Sequence, residues 1–221
     1  MTHVDPFDVD AARYDAWYDS ARGHELFDHA AAALAPLCPS ARPRLEVGVG
    51  SGRFAAALSV EFGIDPAPGA LALAARRGVR VVVGRAEELP FATACFSAVL
   101  VVMTLCFVDS PERALLEIRR VLAPGGRIVL GTVARESELG TRYASLAAEG
   151  HPFYSRARFL RLADQVALLE GAGFELVAAR SALVADVGPA DPPYHPGVVP
   201  GAGFVALAGV APRPEGWRVG E

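Results

Sequence analysis

Two rhythms alternate along this chain: short apolar runs of strand length, and longer stretches whose apolar residues recur three and four apart. Runs near 44–49, 61–65, 79–83, 96–103, 126–133, 173–184 and 202–211 predict seven strands. The first five are almost wholly apolar at their centres, as in a parallel sheet covered on both faces. The helical period is clearest after the fourth run. There Ser110 can cap, Pro111 fits the first turn, Glu112 complements the dipole, and Ala114, Leu115, Ile118, Val121 and Leu122 make one stripe. Arg119 and Arg120 fall in the last turn, and Pro124, Gly125 and Gly126 end the helix before the fifth strand. This order of elements predicts a doubly wound α/β fold.

The first strand, Arg44 to Val49, runs into a glycine turn with a carboxylate just ahead of it. Glu46, Gly48, Gly50 and Gly52 form an E-x-G-x-G-x-G pattern, in which missing Cβ atoms let a ligand lie directly against backbone N–H groups. The second strand ends in Asp65, where doubly wound folds place an acid that grips ribose hydroxyls. Two acceptor oxygens suit a vicinal diol. Asp65 also suits a turn ahead of Pro66, and both roles are open.

The same stretch excludes other nucleotide sites. A G-x-G-x-x-G fingerprint starting at Gly48 needs glycine at 53, where Arg53 stands. The chain contains no lysine at all, which removes the Walker P-loop and Schiff-base chemistry.

Three motifs occur in order: EVGVGSG at 46–52, GRAEELPF at 84–91 and RRVLAPGGRIVLG at 119–131. In them the chain resembles the class I S-adenosylmethionine-dependent methyltransferases, specifically the small-molecule group similar to type 11 and to the ubiquinone and menaquinone enzymes. The resemblance covers about Tyr14 to Phe174 and implies a Rossmann-like, mostly parallel seven-stranded sheet with its last strand antiparallel. It implies S-adenosylmethionine as cofactor, with Glu46, Gly48, Val49, Gly50, Ser51 and Gly52 at its methionine end and Asp65 with Pro66 at the ribose. Ala86 and Glu87 fall at the adenine edge, and the backbone of Met103 and Thr104 near the methionine amino group. Arg85 departs from a pattern that often has Asp there, so Glu87 or backbone atoms must substitute. The N-terminal segment resembles the lid helix of this group. Tyr14, Trp17 and Tyr18 recur there at helical spacing, with Tyr14 and Tyr18 assigned to the cofactor and Trp17 to packing.

Composition narrows the rest. At 221 residues, 52% of them hydrophobic, the chain can bury one good core, so 1–221 reads as a single domain. By the resemblance its parts are an N-terminal helical lid (1–40), a cofactor-binding core (41–134), a substrate cover and helix (135–171) and a C-terminal strand pair (172–221). A formal charge of −4 with scattered arginines leaves no electrostatic footprint for nucleic acid, which favours a small-molecule substrate. The start of the chain lacks the features of a signal peptide, and the longest apolar run is too short for a bilayer core of about 30 Å. The expectation is a soluble, cytoplasmic protein without membrane partners, its oligomeric state unassigned. Cys38, Cys95 and Cys106 read as reduced thiols, and His24 and His29 miss the spacing of a helical zinc pair, so no metal is expected.

Methyl transfer proceeds by SN2 attack on the sulfonium methyl, and a base is needed only if the acceptor must lose a proton. His151 is the first candidate, because its ordinary pKa lies near working pH, with Tyr143 and Tyr154 next. All three lie after the fifth strand, where the resembling group builds its substrate cover. The proline-rich stretch 186–203 reads as a loop; the family's topology implies that it emerges on the ligand side, with Tyr194 or His195 facing inward, and a solvent-facing connection is the alternative. A non-catalytic cofactor-binding protein and, disfavoured by Arg53, a nicotinamide-dependent oxidoreductase are the alternatives.

Overall fold

The computed structural model describes residues 5–184 and 192–213. It contains one eight-stranded sheet, in the order β3-β2-β1-β4-β5-β8-β6-β7. Strands β1 (Arg44–Val47), β2 (Phe62–Asp65), β3 (Arg80–Val83), β4 (Phe96–Val102) and β5 (Leu122–Thr132) are parallel. Beyond them β8 (Phe204–Val210) runs antiparallel between β5 and β6 (Glu175–Ala182). Seven strands stand where the apolar runs put them. The eighth, β7 (His195–Pro196), is a two-residue strand paired with β6 inside the proline-rich stretch, which composition alone reads as loop. Residues 185–191 of that stretch lie outside the described residues.

Alternation along the central strands explains why the sheet needs cover on both faces. Leu100 and Val102 of β4, with Phe204, Ala206 and Ala208 of β8, enter one core, and Val99, Val101, Val205 and Leu207 enter the other. The first core is closed by α3 (Ala21–Leu34), α4 (Arg53–Ala57) and α5 (Pro68–Arg76), the second by α6 (Pro111–Val121) and α8 (Leu162–Gly171). Helix α6 forms as its sequence predicts: Ser110 Oγ accepts from the Arg113 amide, and Ala114, Leu115, Ile118 and Val121 are buried. Leu115 and Ile118 are fully excluded from water, each worth about 1.5–3 kcal/mol of burial. The expected break at Pro124 to Gly126 is absorbed instead into β5, which starts at Leu122 and shifts register before Arg127. The edge strand β3 is the exception to the apolar rule, with Val83 59% exposed.

Three α-helices, α1 (Pro6–Val9), α2 (Ala11–Trp17) and α3, and a 3-10 turn at Ala35–Leu37 precede the sheet. Asp5 caps α1, and Ser20 caps α3 by accepting from the Gly23 amide. Helix α7 (Glu138–Ala148) follows β5, capped by the buried Ser137. All three cysteines are free, and no helix among the described residues is long and apolar enough to cross a membrane.

Candidate active site

The carboxyl ends of β1, β2 and β4 converge on a cavity of about 300 Å³, the position where open α/β sheets bind ligands. The turn after β1 supplies Gly48, Val49, Gly50 and Ser51, and β2 supplies Asp65 with Pro66 following. Ala86 and Glu87 come from the loop after β3, Met103 and Thr104 from the end of β4, and Tyr14 and Tyr18 from the N-terminal helices. Glu46 of β1 lines it as well. The structure therefore gathers every residue assigned to the cofactor except Gly52. A Cβ at Gly52 would stand 2.8 Å from Ala74 of α5, so this glycine serves helix packing and does not line the cavity.

The turn differs from its sequence reading in one respect. Its amides are largely engaged by the protein: Gly48 and Val49 both donate to the Ile64 carbonyl, at 2.8 and 3.1 Å, and Gly50 donates to Asp65 Oδ2 at 2.9 Å. The glycines thus contribute shape more than donors. A Cβ built at Gly50 would meet nothing within 4 Å, so the bare backbone faces open space on the cavity side. Asp65 Oδ1 accepts from the Ala67 amide at 2.9 Å, which makes Asp65 both the turn residue and a cavity residue. Its burial raises the carboxyl pKa, and the two amides oppose that.

Glu46 is 2% exposed, and its Oε2 has no hydrogen-bond partner. Burial, and secondarily the charge of Asp65, lift its pKa well above the carboxylate range. Glu87 is committed elsewhere, accepting from the Asp109 amide at 2.8 Å and the Ser110 amide at 3.4 Å, while Arg85 pairs outward with Asp109. Arg85, Ala86 and Glu87 all line the cavity. Met103 adopts φ +50°, a costly conformation for a non-glycine residue, at the junction of β4 and the cavity.

The lid is latched. Arg53, the residue that breaks the dinucleotide fingerprint, donates from Nε and Nη2 to the two carboxylate oxygens of Asp15 at 2.8 and 3.1 Å, and from Nη2 to Asp19 at 2.8 Å. Arg77 joins Asp15 at 2.8 Å while also holding the Ser51 carbonyl at 2.8 Å. Burial opposes ionisation of Asp15, yet the hydrogen bonds from Arg53, Ser51 and Arg77 outweigh it and hold the carboxyl at about 2. Nothing in the local sequence marks this network, because its members lie up to 62 positions apart.

A second, smaller inner chamber of about 30 Å³ adjoins the first. Tyr14, Tyr18, Met103 and Phe107 line both. Tyr143 and Tyr154 line the inner chamber, with rings stacked 4.8 Å apart. Trp17 lines it too while packing against the first core. His151 lines neither cavity: its ring stacks on Tyr154 at 4.8 Å, and Nδ1 accepts from the Phe153 amide at 3.3 Å. The favoured base candidate thus stands behind Tyr154. Tyr194 and His195 also line neither, Tyr194 lying under Arg180 instead. Cys106, Thr132 and Gln165 line the inner chamber and carry no motif that singles them out. No cluster of potential metal ligands occurs among the described residues.

A methyltransferase-domain family matches residues 45–130. An uncharacterised protein of Mycobacterium tuberculosis is 46% identical over 205 residues, spanning 91% of this chain and 72% of its own. One of Methanocaldococcus jannaschii is 31% identical over 202 residues, spanning 91% and 97%. A crystal structure from Thermotoga maritima, described as an S-adenosylmethionine-dependent methyltransferase and possible histamine N-methyltransferase, matches with a TM-score of 0.82 at 34% identity, covering 90% of this chain and 95% of that one. The chain belongs to the S-adenosylmethionine-dependent methyltransferases. The residues of this methyltransferase fit that cofactor. The backbone at Gly50 leaves room where a side chain would intrude, and the unpartnered, buried Glu46 Oε2 is an acceptor awaiting a cationic or N–H group.

Proposed function

We propose that this methyltransferase acts on a small-molecule acceptor, whose reacting atom enters the inner chamber while the cofactor occupies the larger cavity. The wall shared by the two cavities, Tyr14, Tyr18, Met103 and Phe107, carries this reading, because methyl transfer needs two ligands meeting end to end. When bound, S-adenosylmethionine supplies an electrophilic methyl on a sulfonium. The protein supplies placement. Gly48, Gly50 and Ser51 shape the methionine end with Glu46 beneath, Asp65 takes the ribose hydroxyls, the backbone of 85–87 takes the adenine edge, and Met103 and Thr104 turn their backbone toward the amino group. Holding the two reactants in line and away from water supplies about 7–11 kcal/mol of the barrier reduction.

The possible histamine N-methyltransferase in the Thermotoga relative's description is consistent with a small acceptor. The test is release of S-adenosylhomocysteine across a panel of small amines, alcohols, thiols and carboxylates, set against peptides and RNA. Turnover confined to small molecules is expected. Turnover of a macromolecule alone would refute the reading, and tight cofactor binding with no turnover on any acceptor would favour a non-catalytic binder.

Glu46 yields a second expectation. Burial raises its pKa, so a cationic ligand group brought beside it favours the ionised carboxylate and the release of any proton held there. Cofactor affinity should therefore rise with pH through the Glu46 titration and then level off, with proton release detectable by calorimetry in buffers of different ionisation enthalpy. Glu46→Gln should flatten that pH dependence. A slope that survives the substitution would place the proton elsewhere.

A further inference from the structure

From the inner chamber we infer that the methyl acceptor is an amine, entering as the uncharged base, with its nitrogen among the rings of Tyr14, Trp17, Tyr18, Tyr143 and Tyr154 and one N–H donated to Gln165. This rests on the acceptor reading above and extends it to the acceptor atom and a residue that selects it.

Charge decides the class. Among the described residues no carboxylate, arginine or histidine lines the chamber. An alkoxide, thiolate or carboxylate acceptor would have to shed its water there with no cation to meet it, a desolvation cost that nothing in the lining offsets. A neutral alcohol or thiol would need a base, and the titratable groups present are Tyr14, Tyr18, Cys106, Tyr143 and Tyr154. Burial raises the pKa of all five, the Cys106 thiol to about 12, so each is protonated at neutral pH. An amine is a nucleophile without either aid. Its lone pair forms the new C–N bond as the C–S bond breaks with its electrons remaining on sulfur. The positive charge passes to nitrogen, and the N-methylammonium gives up its proton to solvent after release. Aromatic walls suit this course, because ring faces attract an organic cation that water no longer reaches.

Gln165 supplies direction. It is 2% exposed at the start of α8, its Nε2 donates to the Leu160 carbonyl at 3.2 Å, and its Oε1 has no partner. A buried amide oxygen left unsatisfied is costly, and an N–H of the acceptor would satisfy it.

Calorimetric titration of the enzyme saturated with S-adenosylhomocysteine tests the chamber without catalysis. Tetramethylammonium should bind at least about fivefold more tightly than its uncharged analogue tert-butanol. Tyr154→Phe should keep that preference and Tyr154→Leu should lose it. Gln165→Leu should weaken dimethylammonium, which has N–H groups, while leaving tetramethylammonium, which has none, unchanged. Equal or weaker binding of the cation, or no binding of either probe, overturns the inference, as does a Tyr154→Leu variant that retains the preference. In the turnover panel, a methyl found on oxygen, sulfur or carbon overturns the amine assignment while leaving the small-molecule reading intact. Silence across the whole panel defeats that parent reading, and the titrations still decide the chamber's preference.

Discussion

Asp65→Ala is expected to weaken S-adenosylmethionine binding by about 10- to 150-fold, the loss of roughly 1.5–3 kcal/mol that follows removal of a hydrogen bond to a charged group. Two effects combine in that number. The carboxylate has about four acceptor positions, of which the amides of Gly50 and Ala67 take one on each oxygen, leaving capacity for ribose hydroxyls. Removing it also frees the Gly50 amide and loosens the turn under the methionine end. Asp65→Asn separates the contributions, since the amide oxygen can still accept from one backbone N–H but meets a diol with half the acceptors. The measurement is cofactor affinity by calorimetry beside thermal unfolding of the ligand-free variant. An unchanged dissociation constant for Asp65→Ala would remove this residue from the cofactor site.

The second large effect is expected at helix α2. Asp15→Ala should cost about 2 kcal/mol of folding stability, from a carboxyl held at about 2 instead of near its ordinary 3.8. For a chain of this size that corresponds to a drop of roughly 4–8 °C in Tm. Because the folded pKa lies below the unfolded one, the contribution is present in full above about pH 4 and is lost as pH falls through about 2. The stability difference between wild type and variant should therefore vanish in strong acid. The same substitution should weaken cofactor binding, because Tyr14 and Tyr18 hang from the helix that Asp15 ties to Arg53 and Arg77. Urea midpoints at pH 7 and pH 2, with cofactor titration at pH 7, read both. A variant equal to wild type in both would show that the latch contributes nothing.

The two variants differ in how visible their residues are along the chain. Asp65 stands at the end of an apolar run, a short step after a glycine turn, and both its turn role and its cavity position follow from local spacing. Asp15 is one acid among many in an acidic N-terminal stretch, and only its contacts with Arg53 and Arg77 give it work. Arg53 itself was informative for what it excluded, whereas its positive role appears once α2 lies across the glycine turn.

Local chemistry by itself determined the alternation of apolar strands and amphipathic helices, the glycine turn, the acid after β2 and the three ordered motifs, because each depends on neighbours within a few residues. The two-residue β7, the engagement of the turn amides by Ile64 and Asp65, and the separation of His151 from both cavities were decided by tertiary structure. So was the inner chamber, where Tyr14, Cys106, Thr132, Tyr154 and Gln165 come together from five separate stretches. The physical reason is that a cavity wall is a property of packing: its residues share a surface without sharing a period, and only the closed fold brings them within reach of one another.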